Sequence, residues 1–188
     1  MRSICPLFVL VFVASAPALA AEDIAVPHFD SIELKAGGDL DIVHGPIQRV
    51  TLVNGSRQFT SFRIVDRNKL EIATSCNGNC PHSYNLRIRV ETPNVPDVAV
   101  NAGGTIIAQR GFAPQAEVSA AVFAGGRIDL RSVEAENVSA AINAGGDIYV
   151  RPRRTLSAAV NAGGEIHYSG NPQVSMAVNN GGDVRRDY

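Results

Sequence analysis

The sequence predicts an all-β protein: a single-stranded parallel β-helix, or solenoid, with an N-terminal region of strands and hairpins stacked on it. Three observations lead there. Gly-Gly pairs recur along the second half of the chain, with their second glycines at 104, 126, 146, 164 and 182. Apolar and polar residues alternate with a period of two around each pair, and no window carries the 3.6-residue apolar stripe of an amphipathic helix. The glycine steps of 22, 20, 18 and 18 residues mark stacked supersecondary units, and a leucine-rich repeat is excluded because the Leu frame and helical segment it needs are absent.

The first twenty residues stand apart. Arg2 gives a positive start, Cys5 to Ala16 is mostly apolar and too short to cross a bilayer, and Ala18-Leu19-Ala20 has the small-x-small pattern of a cleavage site. Residues 1–20 therefore read as a secretory signal peptide, followed by an N-terminal β region at 21–95 and the solenoid at 96–188, the last two forming one continuous domain. No second apolar run is long enough to span a membrane, so no transmembrane segment is expected. With 17 Lys and Arg against 18 Asp and Glu there is no basic excess, which argues against a nucleic-acid partner.

Loss of Cys5 with the signal leaves Cys76 and Cys80, a pair set in the turn-rich stretch Cys76-Asn77-Gly78-Asn79-Cys80. An even count in an exported chain points to a disulfide. The rival, a metal site completed by His82, lacks the four ligands of a structural zinc centre.

Between 21 and 95, Ile32 to Lys35 alternates and Ala36-Gly37-Gly38-Asp39-Leu40 echoes the later pairs. Val50 to Val53 ends at the turn dipeptide Asn54-Gly55. Phe62 to Val65, the turn Asp66 to Lys69, and Leu70 to Ile72 read as a hairpin, and Tyr84 to Val90 alternates until Pro93 stops it. Arg63, Arg87 and Arg89 are expected to face solvent. This half should cover the first coil of the solenoid, whose edge would otherwise be exposed.

In the second half the even positions Val138, Ala140, Ile142, Ala144, Gly146, Ile148 and Val150 are apolar or small, as are Leu156, Ala158, Val160, Ala162, Gly164, Ile166 and Tyr168. They are assigned to the interior, and the odd positions to the outside. The glycine pair suits a narrow coil, because glycine takes little room and reaches backbone angles that other residues avoid.

The order of these motifs resembles a known family. Phe29-x-x-Ile-x-Leu, Gly-Gly-Asp-Leu-Asp-Ile-x-x-Gly, Val-x-Leu, Lys-Leu-Glu-Ile, the strand entering Thr92-Pro93, and repeated Asn-Ala-Gly-Gly units are similar to the putative auto-transporter adhesin head GIN domain, over about residues 29–184. The resemblance implies a right-handed β-helix exported by bacteria with an adhesin-like role, and it carries no catalytic residues. Phe123 departs from the pattern, standing where the other copies have Asn.

Candidate chemistry is sparse. Asp147, Glu165 and Asp183 follow successive glycine pairs, with Asp39 in the earlier echo, so the first three should stack in one column below Arg127. Three readings are open: a solvated polar column, a weak cation site, and carboxylates spaced as in a glycosidase. His28, His44, His82 and His167 are scattered, and His167 is expected on the surface. Arg151-Pro152-Arg153-Arg154 reads as an exposed loop with the chemistry to touch an acidic glycan or lipid head group. The outward columns Ser139, Ser157, Ser175; Ala141, Ala159, Ala177; and Asn143, Asn161, Asn179 promise a flat face of small side chains. Such a face fits either a repetitive partner or simple tight packing with hydrogen-bonded Asn amides.

The expectation from sequence is thus a non-enzymatic, exported binding or adhesin-like module of the bacterial cell envelope, located in the periplasm, at the cell surface or outside the cell. Its partner would be a surface or envelope ligand such as a glycan, or a second copy meeting it through the flat face or the coil ends. No cofactor is implied. The alternatives are a structural, self-associating envelope protein without a small ligand and, more remotely, a carbohydrate-active β-helix enzyme.

Overall fold

The computed structural model describes residues 21–75 and 84–187. These form fifteen strands in chain order: β1 (Glu22–Ile24), β2 (Ser31–Leu34), β3 (Asp39–His44), β4 (Arg49–Asn54), β5 (Thr60–Val65), β6 (Lys69–Thr74), β7 (Arg87–Thr92), β8 (Asp97–Ala102), β9 (Thr105–Ala108), β10 (Gln115–Ala124), β11 (Arg127–Ala144), β12 (Asp147–Ala162), β13 (Glu165–Tyr168), β14 (Gln173–Val178) and β15 (Asp183–Arg186). No helix of the described residues is long and apolar enough to cross a membrane.

All fifteen strands belong to one hydrogen-bonded sheet, which curls into two limbs facing each other across a common core. The first limb runs β1-β4-β7-β3-β9 and continues through the starts of β11 and β12 to β13 and β15. The second limb runs β5-β6-β2-β8-β10 and continues through the ends of β11 and β12 to β14. The long strands β11 and β12 pass from one limb to the other, with register shifts between Asp129 and Glu134 and between Ala135 and Asn137 where they bend.

The expected single-stranded parallel β-helix is not the fold that forms. The sheet is mixed and closes into a nearly complete barrel. β1 pairs β4, β4 pairs β7, and β5 pairs β6, all antiparallel. Stacking order also departs from chain order, since β2 lies between β6 and β8, and β3 lies between β7 and β9. The departure lies in which distant strands become neighbours; only the β5–β6 hairpin follows from local turn chemistry. Asp66 and Arg67 take φ of 46° and 75°, the left-handed pair that a tight hairpin demands, and they send β6 straight back along β5. A tight reversal yields antiparallel neighbours, whereas parallel ones need a crossover. Gly55 turns the chain at φ 127°, but β4 does not pair with β5; its neighbours are β1 and β7.

Alternation does set the core. Ile88, Leu40, Ile106, Ile128, Ile148 and Ile166 stand in one register column on the first limb, every one buried. Facing them on the second limb are Val100, Val122, Ile142 and Val160. The inward assignment fails at Ala144 and Ala162, which are exposed because the chain is already leaving the strand for the Gly-Gly turn. It also shifts at the bend of β11, where odd-numbered Val133 and Ala135 are buried. Burying each such aliphatic side chain stabilises by roughly 1.5–3 kcal/mol.

Ile148, 0% exposed between Ile128 and Ile166, is the sharpest probe of this packing. Ile148→Asp should cost more than about 4 kcal/mol, because it leaves a carboxylate without a partner in an apolar column. Urea denaturation followed by circular dichroism should show loss of the cooperative transition; an unchanged midpoint would refute the inward stacking.

Candidate functional site

The outer face of the second limb is built from the odd-numbered residues of β8, β10, β11, β12 and β14. In-register parallel pairing brings like residues together, so Ala99, Ala121, Ala141, Ala159 and Ala177 form one continuous column. Ser119, Ser139, Ser157 and Ser175 form the next. Neighbouring strands lie about 4.8 Å apart, so this is a flat surface with a regular repeat. All nine residues singled out from the sequence line this face; Ala159 is half-buried and the other eight are exposed. Asn161 donates to Asn143 Oδ1 at 3.2 Å and Asn179 donates to Asn161 Oδ1 at 3.4 Å. The amide ladder expected for tight packing is therefore present.

The face is not uniformly flat. An apolar groove of about 230 Å³ crosses β2, β8, β10 and β11, floored by Ile32, Ala99, Ala121 and Ala141. Lys69 and Asp97 stand at its margin. Asp97 is fixed there, accepting from the Ser119 backbone N–H at 3.0 Å. Phe123, 44% exposed, interrupts the Asn column and adds one large apolar side chain to the same surface.

The other candidates resolve as follows. Asp147, Glu165 and Asp183 do stack in one column headed by Arg127. Glu165 is already engaged, accepting from Arg185 at 2.6 Å and lying 3.0 Å from His167 Nε2. Among the described residues no group of three or more His, Cys, Asp or Glu converges to hold a metal. His167 is not a surface histidine: it is 5% exposed, stacked on Tyr149 at 4.3 Å, with Asp187 Oδ1 3.0 Å from Nδ1. Its ring points outward as expected, but Tyr149, Glu165, Arg185 and Asp187 enclose it. Tyr149, His167 and Arg185 share one register column at a spacing of 18 residues, a signal present in the sequence that polarity alone does not reveal.

The basic cluster is tied down internally. Arg151 pairs with Glu134 at 2.9 Å, Arg153 lies 3.6 Å from Glu136, and Arg154 donates to Asn137. Arg131 grips Asp129 with two side-chain hydrogen bonds of 2.9 and 2.5 Å. Burial pushes the Asp129 carboxyl up, yet these bonds hold it below its ordinary value. The Cys76–Cys80 pairing, His82 and the 1–20 signal peptide lie outside the described residues.

Most of the Ala and Ser columns, of the Asn ladder and of the groove falls within β8 to β13, the stretch that a comparison with known proteins picks out. Residues 97–172 match the family described as putative auto-transporter adhesin, head GIN domain. The match is narrower than the 29–184 spanned by the motif order, and centres on the Gly-Gly segments. Among solved structures, a putative adhesin from Bacteroides fragilis is similar at 15% identity, covering 89% of this chain and 96% of its own, with a TM-score of 0.50. A putative adhesin from Parabacteroides distasonis (15% identity, 89% and 96% coverage, TM-score 0.42) and a putative cell adhesion protein from Clostridium sporogenes (8%, 89% and 99%, 0.40) also match. No curated protein matches the chain.

Outside residues 97–172, the small-residue face grades into a charged one. The Ala column continues in register from Ala99 to Glu33 and then Glu71, two carboxylates buried on the same outer surface. Lys35 donates to Glu71 at 2.6 Å, Arg63 donates to it at 2.5 Å, and Lys69 lies 3.2 Å from Glu33. Asn101 also donates to Glu33, at 3.2 Å. Arg63 is solvent-exposed as expected, but it has this partner. The network was missed because Ile32-Glu-Leu-Lys35 and Leu70-Glu-Ile72 are far apart in sequence, and nothing in either shows that parallel pairing sets Glu33 beside Glu71.

The Glu71 carboxyl is held below its ordinary 4.5, first by the Lys35 hydrogen bond and then by Arg63, against the upward push of burial. A depressed folded-state value stabilises above about pH 4.5, and that contribution is lost as pH falls through the folded value. Thermal midpoints measured from pH 7 to pH 3 should fall more steeply for the native protein than for Glu71→Gln, which should be less stable at pH 7. Parallel curves would show that the network has no such role.

Proposed function

We propose that this chain is a non-enzymatic, adhesin-like binding module of the bacterial cell envelope, exported through the 1–20 signal segment, and that it binds through the outer face of the second limb. The observation that carries the reading is the apolar groove laid across the Ala column and bordered by Lys69 and Asp97. Grooves that bind are apolar on the floor with a few fixed polar groups at the rim. Asp97 is such a group, and Lys69 is another, held by Asp66 at 2.9 Å and Glu33 at 3.2 Å. The regular spacing of Ser and Ala along four or five strands suits a ligand that itself repeats, such as a glycan chain.

The side chains argue for binding rather than catalysis. The Asn amides hydrogen-bond along the ladder, and the Ser hydroxyls alternate with inert Ala columns. The family match and the adhesin descriptions of similar structures support the same reading.

Ala141→Arg combined with Ala159→Arg should fill the face with bulk and charge while leaving the core untouched, since both side chains point away from it. The double variant should keep its cooperative unfolding yet lose, by about tenfold or more, the native protein's attachment to glycan arrays or to intact bacterial cells. Unaltered attachment by the folded double variant would count against this face as the binding surface.

A further inference from the structure

Where the first limb bends into the second, the two long strands part. Asp129 pairs with Tyr149 and Glu134 with Arg151, so β11 takes five residue steps where β12 takes two. The surplus on β11 bulges outward, and bulges re-aim side chains. A cavity of about 590 Å³ opens beside it, lined by Gln109, Arg110, Asp129, Arg131, Ser132 and Arg151. None of these residues belongs to the second-limb groove.

Three guanidinium groups line this cavity against one carboxylate, and that carboxylate is already engaged. Asp129, its side chain 15% exposed, accepts from Arg131 Nε, Arg131 Nη2 and the Arg131 backbone N–H. Arg131 also lies over the Tyr149 ring at 4.6 Å. It is thus fixed before any ligand arrives, with N–H groups to spare beyond the two that Asp129 takes. Arg151 pairs with Glu134 at 2.9 Å, but Glu134 is shared with Arg153 at 3.9 Å, and an exposed pair of this kind holds its partners weakly. Arg110 is exposed and makes no ion pair or side-chain hydrogen bond among the described residues.

We infer that this cavity binds the carboxylate of an acidic, uronate-type saccharide, held by Arg110, Arg131 and Arg151. A guanidinium presents parallel N–H groups that match the two oxygens of a carboxylate. Gln109 and Ser132 supply neutral hydrogen-bonding groups for sugar hydroxyls, and Gln109 is itself oriented by donating to Asp41 at 3.0 Å. The volume lies in the range of small-ligand sites. A lipid surface fits less well, because none of the large exposed apolar side chains lines the cavity. A nucleic acid fits less well too, because the lining offers no aromatic face for a base to stack on. The inference does not depend on the second-limb face, whose loss would leave these residues in place.

Isothermal titration calorimetry of the whole protein with trigalacturonate should show saturable binding, and neutral galactotriose should show none at this site. Arg110→Gln changes an exposed side chain without a partner, so the thermal midpoint should stay unchanged while the dissociation constant for trigalacturonate rises about tenfold or more. Arg67→Gln removes the same charge from the exposed β5–β6 turn and should leave that constant unchanged. Absence of trigalacturonate binding, equal binding of galactotriose, or equal weakening by Arg110→Gln and Arg67→Gln would overturn the proposal. So would binding to phosphatidylglycerol vesicles or to a single-stranded oligonucleotide in place of the saccharide.

Discussion

The constraint on which the structure rests is the close approach of backbone to backbone at the second glycine of each pair. At Gly146, where φ is 106°, a Cβ would lie 2.6 Å from the Gly126 carbonyl oxygen and 2.8 Å from Val122 Cγ1. Gly164 would meet Gly146 in the same way at 2.7 Å, and Gly126 would meet Gly104 at 2.9 Å. Each of those carbonyls accepts a hydrogen bond from the residue after the next pair: Arg127 to Gly104 at 2.8 Å, Asp147 to Gly126 and Glu165 to Gly146 at 3.0 Å. The glycines thus form a ladder along the seam where the second limb turns into the first. Without it the rows could not stack at strand spacing while the chain reverses between limbs.

From that seam the rest follows in both directions. On one side the Ile column of the first limb is aligned, because the residue two places beyond each second glycine is carried to the same height as its predecessor. On the other side the Ala, Ser and Asn columns of the second limb come into register, which makes the flat face and its groove. The earlier pair Gly37-Gly38 enters the same ladder out of chain order. A Cβ on Gly38 would meet the Leu86 carbonyl at 2.7 Å, and Thr105 donates to the Gly38 carbonyl at 2.8 Å. That insertion joins the N-terminal strands to the Gly-Gly segments as one sheet.

Much of the architecture could be read from residues alone, and the boundary is instructive. Ile128, Ile148 and Ile166 are recognisable as a buried column because they follow glycine pairs at equal offsets and alternate with polar residues. The hairpin at Asp66 is equally legible from local turn residues. What local pattern does not encode is which distant strands become neighbours. Nothing in Asp39 to His44 shows that β3 slots between β7 and β9, or that antiparallel strands continue the parallel ones, so the sequence suggests a simple solenoid where a mixed, nearly closed sheet forms. The same gap hid the Glu33–Glu71 network and the enclosure of His167. Polarity places both groups on the outer surface, and long-range pairing buries them there. The small-residue face was visible in advance because its residues recur at the period of the fold; its groove was not, since β2 and Lys69 complete it from the other half of the chain.

The two glycines of one pair offer the most direct test of the ladder. A Cβ on Gly145 would meet nothing within 4 Å, whereas one on Gly146 would strike backbone, although both residues have positive φ. Thermal unfolding of Gly145→Ala and Gly146→Ala measured side by side should show a modest loss at 145, of the order of 1–2 kcal/mol for the backbone angle alone, and a clearly larger one at 146. Equal losses at the two positions would contradict the account, because the close approach at the second glycine would then not be what holds the rows together.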